Sequence, residues 1–284
     1  MRNAFYAAMG SPKARSQMWP KLLLVALAAC GGSVATAPTS DGGADAYGLM
    51  RPDGSGMSPR DAGARINAHG GRVLGAMTVS VIYVGDAGVD GAPSFDGFID
   101  WAVTSSYWGT LAQYGVGPGT RVASVRVPRA VFLPDGSVNA QGLIEQAALA
   151  ERLTTLLHPL TGTSAVPAAE GYVLFLPDGV NVILGQHGSY IWKTCWDADA
   201  FHSTASGEAY VVVPPCDAGR RTVAISHELT EMATDPDAYQ SWYSDEERYP
   251  SGGEVADLCE DVTSKANGYD VARLWSESAH RCVP

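Results

Sequence analysis

Ser226-His227-Glu228-Leu229-Thr230-Glu231-Met232-Ala233-Thr234-Asp235-Pro236 is the stretch on which the reading of this chain turns. Its residues predict a helix that ends at Pro236, whose ring cannot continue it. At helical spacing His227, Glu231 and Asp235 fall on one stripe, with Glu228 beside them. An imidazole and a carboxylate one turn apart can chelate a metal ion. A carboxylate next to the first ligand is placed to act as general base on a water molecule. The competing reading is an amphipathic helix that buries Val223, Leu229, Met232 and Ala233 and leaves its polar face solvated.

With His first, Glu second and a ligand-type residue fifth, the stretch resembles the active-site helix of zincins. Those proteins carry His at the fifth position; this chain has Glu231, and carboxylate oxygen is an acceptable zinc ligand. A catalytic zinc needs a third protein ligand. The segment Glu254-Val255-Ala256-Asp257-Leu258-Cys259 offers two carboxylates downstream. Zincins with a Glu ligand take it from such a following segment. The resemblance therefore assigns Glu254 as third ligand and Asp257 as the acid that orients His227. Taken alone, these acids read as a surface loop held by Cys259. Asp235 precedes Pro236, which favours a role in the turn over ligation. His202 reads as an alternative ligand, a donor to a developing oxyanion, or a satisfied structural histidine. Asp245-Glu246-Glu247 reads as solvated, His187 as a turn residue, and His69 and His280 as exposed.

The chain has 284 residues, 46% hydrophobic and 17% charged, a globular composition. Its net charge of -11 argues against nucleic-acid binding and polybasic membrane attachment. Residues 1–29 read as an export signal, with basic residues before a short apolar run from Leu22 to Ala29. That run is too short to span a bilayer. Leu27-Ala28-Ala29-Cys30-Gly31-Gly32 resembles a bacterial lipobox. The likeness implies cleavage before Cys30, lipidation of Cys30, and sorting to the outer membrane or cell surface. An ordinary signal peptide with an incidental cysteine is the other reading. Residues 30–72 are rich in Gly, Ala, Ser, Asp and Pro and read as a flexible tether. Residues 73–284 read as one globular domain.

Setting Cys30 aside leaves Cys195, Cys216, Cys259 and Cys282, an even count suited to two disulfides in an oxidising compartment. Proximity favours Cys195–Cys216 and Cys259–Cys282 among three pairings. A zinc site of all four lacks any C-x-x-C pair. Strands are expected at Met77 to Val84, Val122 to Leu133, Tyr172 to Leu176, Val180 to Leu184 and Tyr210 to Val213. Helical spacing runs from Phe95 to Tyr114 and from Asn139 to Leu157. The pattern predicts an α/β (α+β) fold, a mixed sheet with the active-site helix packed on it, followed by a loop-rich, disulfide-stapled C-terminal part.

The block around His227 to Pro236, then Ser241-Trp242-Tyr243, then Glu254 to Glu260 resembles the EXORDIUM / phosphate-induced protein family and its bacterial relatives. Val79 to Gly85 and the Ser106-Tyr107-Trp108 and Gln113-Tyr114-Gly115-Val116 steps are also similar. The likeness implies an extracellular protein with a zincin-like helix, and it carries over His227, Glu228, Glu231, Glu254 and Asp257 as a metal site. The expectation is a monomeric, surface-anchored lipoprotein that hydrolyses a peptide or cell-envelope substrate. In this reading Zn2+ sits on His227, Glu231 and Glu254, with Glu228 as base. The alternative is a catalytically silent extracellular binding or cell-wall-associated module with a structural metal site.

Overall fold

Strand β1 (Thr78–Val84) is buried along nearly its whole length, as a parallel strand covered on both faces must be. The computed structural model of the protein describes residues 64–87, 95–187, 189–245, 253–259 and 262–284. The expected signal at 1–29, the lipidation site Cys30 and the tether up to residue 63 lie outside the described residues. After β1 the main elements are α1 (Asp96–Thr104), β2 (Thr120–Val127), α2 (Gln146–Leu157) and β3 (Gly171–Phe175). They continue with β4 (Phe201–Ala205), β5 (Glu208–Val213) and α3 (Arg221–Thr234).

The five strands form one sheet in the order β2-β1-β3-β5-β4. The first four run parallel and β4 pairs antiparallel to β5 at the edge. Successive side chains point to opposite faces, and the core divides accordingly. Val79, Val81, Val173, Val211 and Val213 join Phe98 and Ile99 of α1 and Ile225, Leu229 and Met232 of α3. Ile82, Leu174, Tyr210 and Val212 join Leu149, Leu153 and Leu157 of α2 on the other face. Gly171 lets α3 sit close on the sheet: a Cβ there would meet Met232 Cε at 2.7 Å.

The helix carrying the motif is not half-solvated. Eleven of its residues, from Val223 to Thr234, are buried, including Ser226, Glu228, Thr230 and Glu231. Its hydroxyls satisfy themselves within the helix: Thr230 donates to the Ser226 carbonyl at 2.8 Å and Thr234 to Thr230 at 3.0 Å. Ser226 Oγ also accepts from the Ala272 N–H at 2.9 Å. This ties the helix to the hairpin Thr263–Ala266/Tyr269–Ala272.

Several local readings change. Asn139 to Leu157 is not one helix; a strand, Leu143–Glu145, precedes α2. The Asn139 side chain accepts from the N–H groups of Gln141 and Leu143, a local turn that competes with helix formation. The helical run from Phe95 breaks after α1 and resumes as a 3-10 helix, Trp108–Tyr114. Strand Asn181–His187 belongs with Leu143–Glu145 and Tyr190–Lys193 in a separate three-stranded sheet. The C-terminal part is more regular than expected, with a second hairpin, Leu274–Ser276/Arg281–Val283. Residues 64–72, assigned to the tether by composition, belong to the folded part. Ala64 and Ile66 are buried in the core, and strand Asn67–Ala68 pairs with Trp242–Tyr243.

Two disulfides, Cys195–Cys216 and Cys259–Cys282, close the C-terminal half. Disulfides of this kind point to an extracellular, oxidising setting. Among the described residues no helix is long and apolar enough to cross a membrane.

Candidate metal centre

Three elements bring the site together: α3, the edge strand β4, and the segment 253–259 with its 3-10 turn Asp257–Cys259. The helical repeat sets His227 and Glu231 one turn apart, His227 Nε2 lying 3.1 Å from Glu231 Oε1. Asp257 arrives from the C-terminal segment, its Oδ1 lying 3.3 Å from His227 Nε2. Its backbone N–H donates to Glu231 Oε1 at 3.1 Å, which fixes the segment against the helix. Tetrahedral zinc with ligands at about 2.0–2.1 Å has neighbouring ligand atoms about 3.3 Å apart. His227, Glu231 and Asp257 therefore have spacing and chemistry that fit such an ion, and their ligand atoms lie within 4.8 Å of one another.

His202 approaches from β4. Its Nδ1 lies 3.1 Å from Glu228 Oε2 and 3.6 Å from Glu231 Oε2. Its Nε2 faces Glu254 Oε1 at 3.4 Å, close enough for attraction but without hydrogen-bond geometry. The structure thus places Glu254, the sequence's third ligand, against His202. It places Asp257, the sequence's orienting acid, beside His227 and Glu231. A second set of three ligand-type groups, His202, Glu228 and Glu231, also lies within 4.8 Å.

Asp235 serves the turn that follows the helix. Its Oδ1 accepts from the N–H groups of Gln240 at 3.1 Å and Ser241 at 2.8 Å. Burial raises its pKa, and these donors offset part of the rise. The same turn delivers Tyr239 to the cleft, a residue the sequence reading missed. Ala238 and Tyr239 both adopt left-handed φ, 29° and 61°, a conformation non-glycine residues keep only where surroundings enforce it. No sequence signal marks that pair. Burial, then the charges of Glu254, Asp257, Glu231 and Asp235, raise the Tyr239 pKa and keep its hydroxyl protonated.

The electrostatics are those of a site short of positive charge. Burial would depress both histidines, but adjacent carboxylates reverse this. Glu254 and Glu228 hold the His202 pKa well above its usual value, and Glu231 and Asp257 do so for His227. Burial raises the Glu231 pKa well above the carboxylate range, with Asp257's charge adding to it and His227 opposing. Burial likewise raises Glu254, against the pull of His202. Side chains of Glu231 and Glu254 are only 3% and 5% exposed, so water screens little of this charge.

These groups line a cleft of about 320 Å³ whose walls include Leu184, Trp192, Phe201 and Tyr239. Elsewhere, His69 stacks on Tyr243 with ring centroids 3.7 Å apart. Neither His69 nor His280 lines this cleft. No family model, curated protein or solved structure matches the chain.

Proposed function

We propose that this protein is an exported metallohydrolase of the zincin kind, in which His227, Glu231 and Asp257 hold a zinc-class ion and Glu228 is the general base. The observation that carries the reading is the His227–Glu231–Asp257 triad at 3.1 and 3.3 Å, in a cleft that also presents Glu228. When bound, such an ion supplies a Lewis acid for a substrate carbonyl and lowers the pKa of water at the site. Glu228, whose carboxylate borders the cleft, takes the proton from the attacking water and returns it to the leaving amine. His202, between Glu228 and Glu254, steadies that carboxylate. The Tyr239 hydroxyl is a donor for the oxyanion that develops as the carbonyl is attacked. The apolar wall of Leu184, Trp192 and Phe201 suits an apolar side chain of a peptide or related amide. Two carboxylates among three ligands soften the ion's electrophilicity, so turnover is expected to be slow.

The mixed sheet with its antiparallel edge strand beside the motif helix supports grouping the chain with zincin-like folds. The sequence resemblance to the EXORDIUM family and the disulfides support an extracellular setting, with Cys30 as the lipid anchor to the outer membrane or surface. A silent binding module is the second reading. The Asp257 N–H already fastens segment 253–259 to the helix, and an ion there would reinforce that fastening. Glu228→Gln separates the two. In zinc-loaded protein digesting a peptide library, read by mass spectrometry, the variant should retain ion and fold and lose cleavage by about a hundredfold or more. Parent loaded with one zinc per chain that cleaves nothing would leave the silent module.

A further inference from the structure

Around His202 and His227 the cleft gathers four carboxylates, Glu228, Glu231, Glu254 and Asp257, while its two others, Asp197 and Asp199, bond to Tyr190 and Arg220. Glu231 also divides its two oxygens. Oε1 faces His227 at 3.1 Å, while Oε2 faces His202 Nδ1 at 3.6 Å, itself 3.1 Å from Glu228 Oε2. A carboxylate shared between two sets of ligand atoms is the geometry of a two-cation centre. A further observation sits behind the second set. His202 Nε2 and Glu254 Oε1 are buried, face each other, and lack hydrogen-bond partners. A carboxylate behind the far ring nitrogen is what orients a metal-bound histidine, and here it turns Nδ1 toward Glu228 and Glu231.

We infer that the cleft contains a second divalent-cation position, formed by His202 Nδ1, Glu228 Oε2 and Glu231 Oε2, with Glu231 bridging to the first. The inference rests on the proposed function for its consequence. A cation on Glu228 Oε2 draws charge from the carboxylate and lowers its basicity, so filling the second position weakens the base. Excess cation therefore inhibits the hydrolase, and the second position acts as a metal-sensing brake.

The test is a titration of the full-length, disulfide-intact, chelator-stripped chain with zinc chloride, followed by calorimetry and native mass spectrometry. The parent should bind one zinc tightly and a second at least about tenfold more weakly, because two like charges share one carboxylate. Glu228→Gln, nearly isosteric, and His202→Ala should each lose the second zinc and keep the first. Circular dichroism checks that each variant is folded. One zinc in the parent, lost in His227→Ala but unchanged in His202→Ala and Glu228→Gln, would overturn the second position and leave the proposed function standing. No zinc in the folded parent would overturn both.

Discussion

Asp235 closes α3 and organises the turn behind it, through two backbone N–H donors to one buried carboxylate oxygen. Hydrogen bonds to a charged acceptor contribute more than neutral ones, so Asp235→Ala should lower unfolding stability by about 2–4 kcal/mol in urea denaturation. It should also disorder the turn that carries Tyr239 into the cleft. Asp257 and Glu254 permit a sharper comparison. The geometry puts Asp257 on His227 and Glu231, and Glu254 on His202. Asp257→Ala should abolish tight zinc binding, while Glu254→Gln should weaken the first ion by no more than about tenfold, the lower end of effects from groups behind a ligand. A greater loss in Glu254→Gln would return the third-ligand role to Glu254. The sequence showed that both acids belong near the helix. It could not rank them, because three residues of an irregular segment can turn either carboxylate inward.

At the scale of elements, α3 was legible as a helix and as the carrier of the site. Its near-complete burial was not, because Ser226, Thr230 and Thr234 look solvent-facing until their hydroxyls are seen bonding within the helix. Strand β4 escaped the sequence reading altogether. Phe201-His202-Ser203-Thr204-Ala205 has only one large apolar residue, as an edge strand with one partner can afford, and β4 is what brings His202 to Glu228. Segment 253–259 depends on its disulfide as well as on Glu231. Cys259, two residues beyond Asp257, is bonded to Cys282. A Cys259→Ser/Cys282→Ser double variant should lose about 3 kcal/mol of stability from loop-closure entropy alone. It should also bind zinc less tightly than the parent, because Asp257 is then free to leave the helix. Equal zinc affinity in the two would mean that the Asp257 N–H bond to Glu231 suffices to hold the segment.

For the molecule as a whole, the continuous burial of β1, β3 and β5 follows from apolar runs such as Val79 to Val84, and the class of fold was readable from them. The sheet order was not, since parallel strands separated by helices carry no local signal of their neighbours. The folded boundary was set too late for a related reason. Ala64 and Ile66 are lone apolar residues in a polar stretch, and only the finished core shows where they go. An ion that binds only the folded state stabilises it by mass action, about 2.7 kcal/mol at a free concentration one hundred times the dissociation constant. Zinc should therefore raise the thermal midpoint of the parent and, at the same concentration, raise that of His227→Ala much less, since only the weaker position remains there. The most direct test of the central claim is the metal content of the full chain, purified oxidised without chelator beside His227→Ala. The account predicts about one zinc per chain in the parent and none in the variant. A folded parent that holds no ion, even after zinc is supplied, would contradict it.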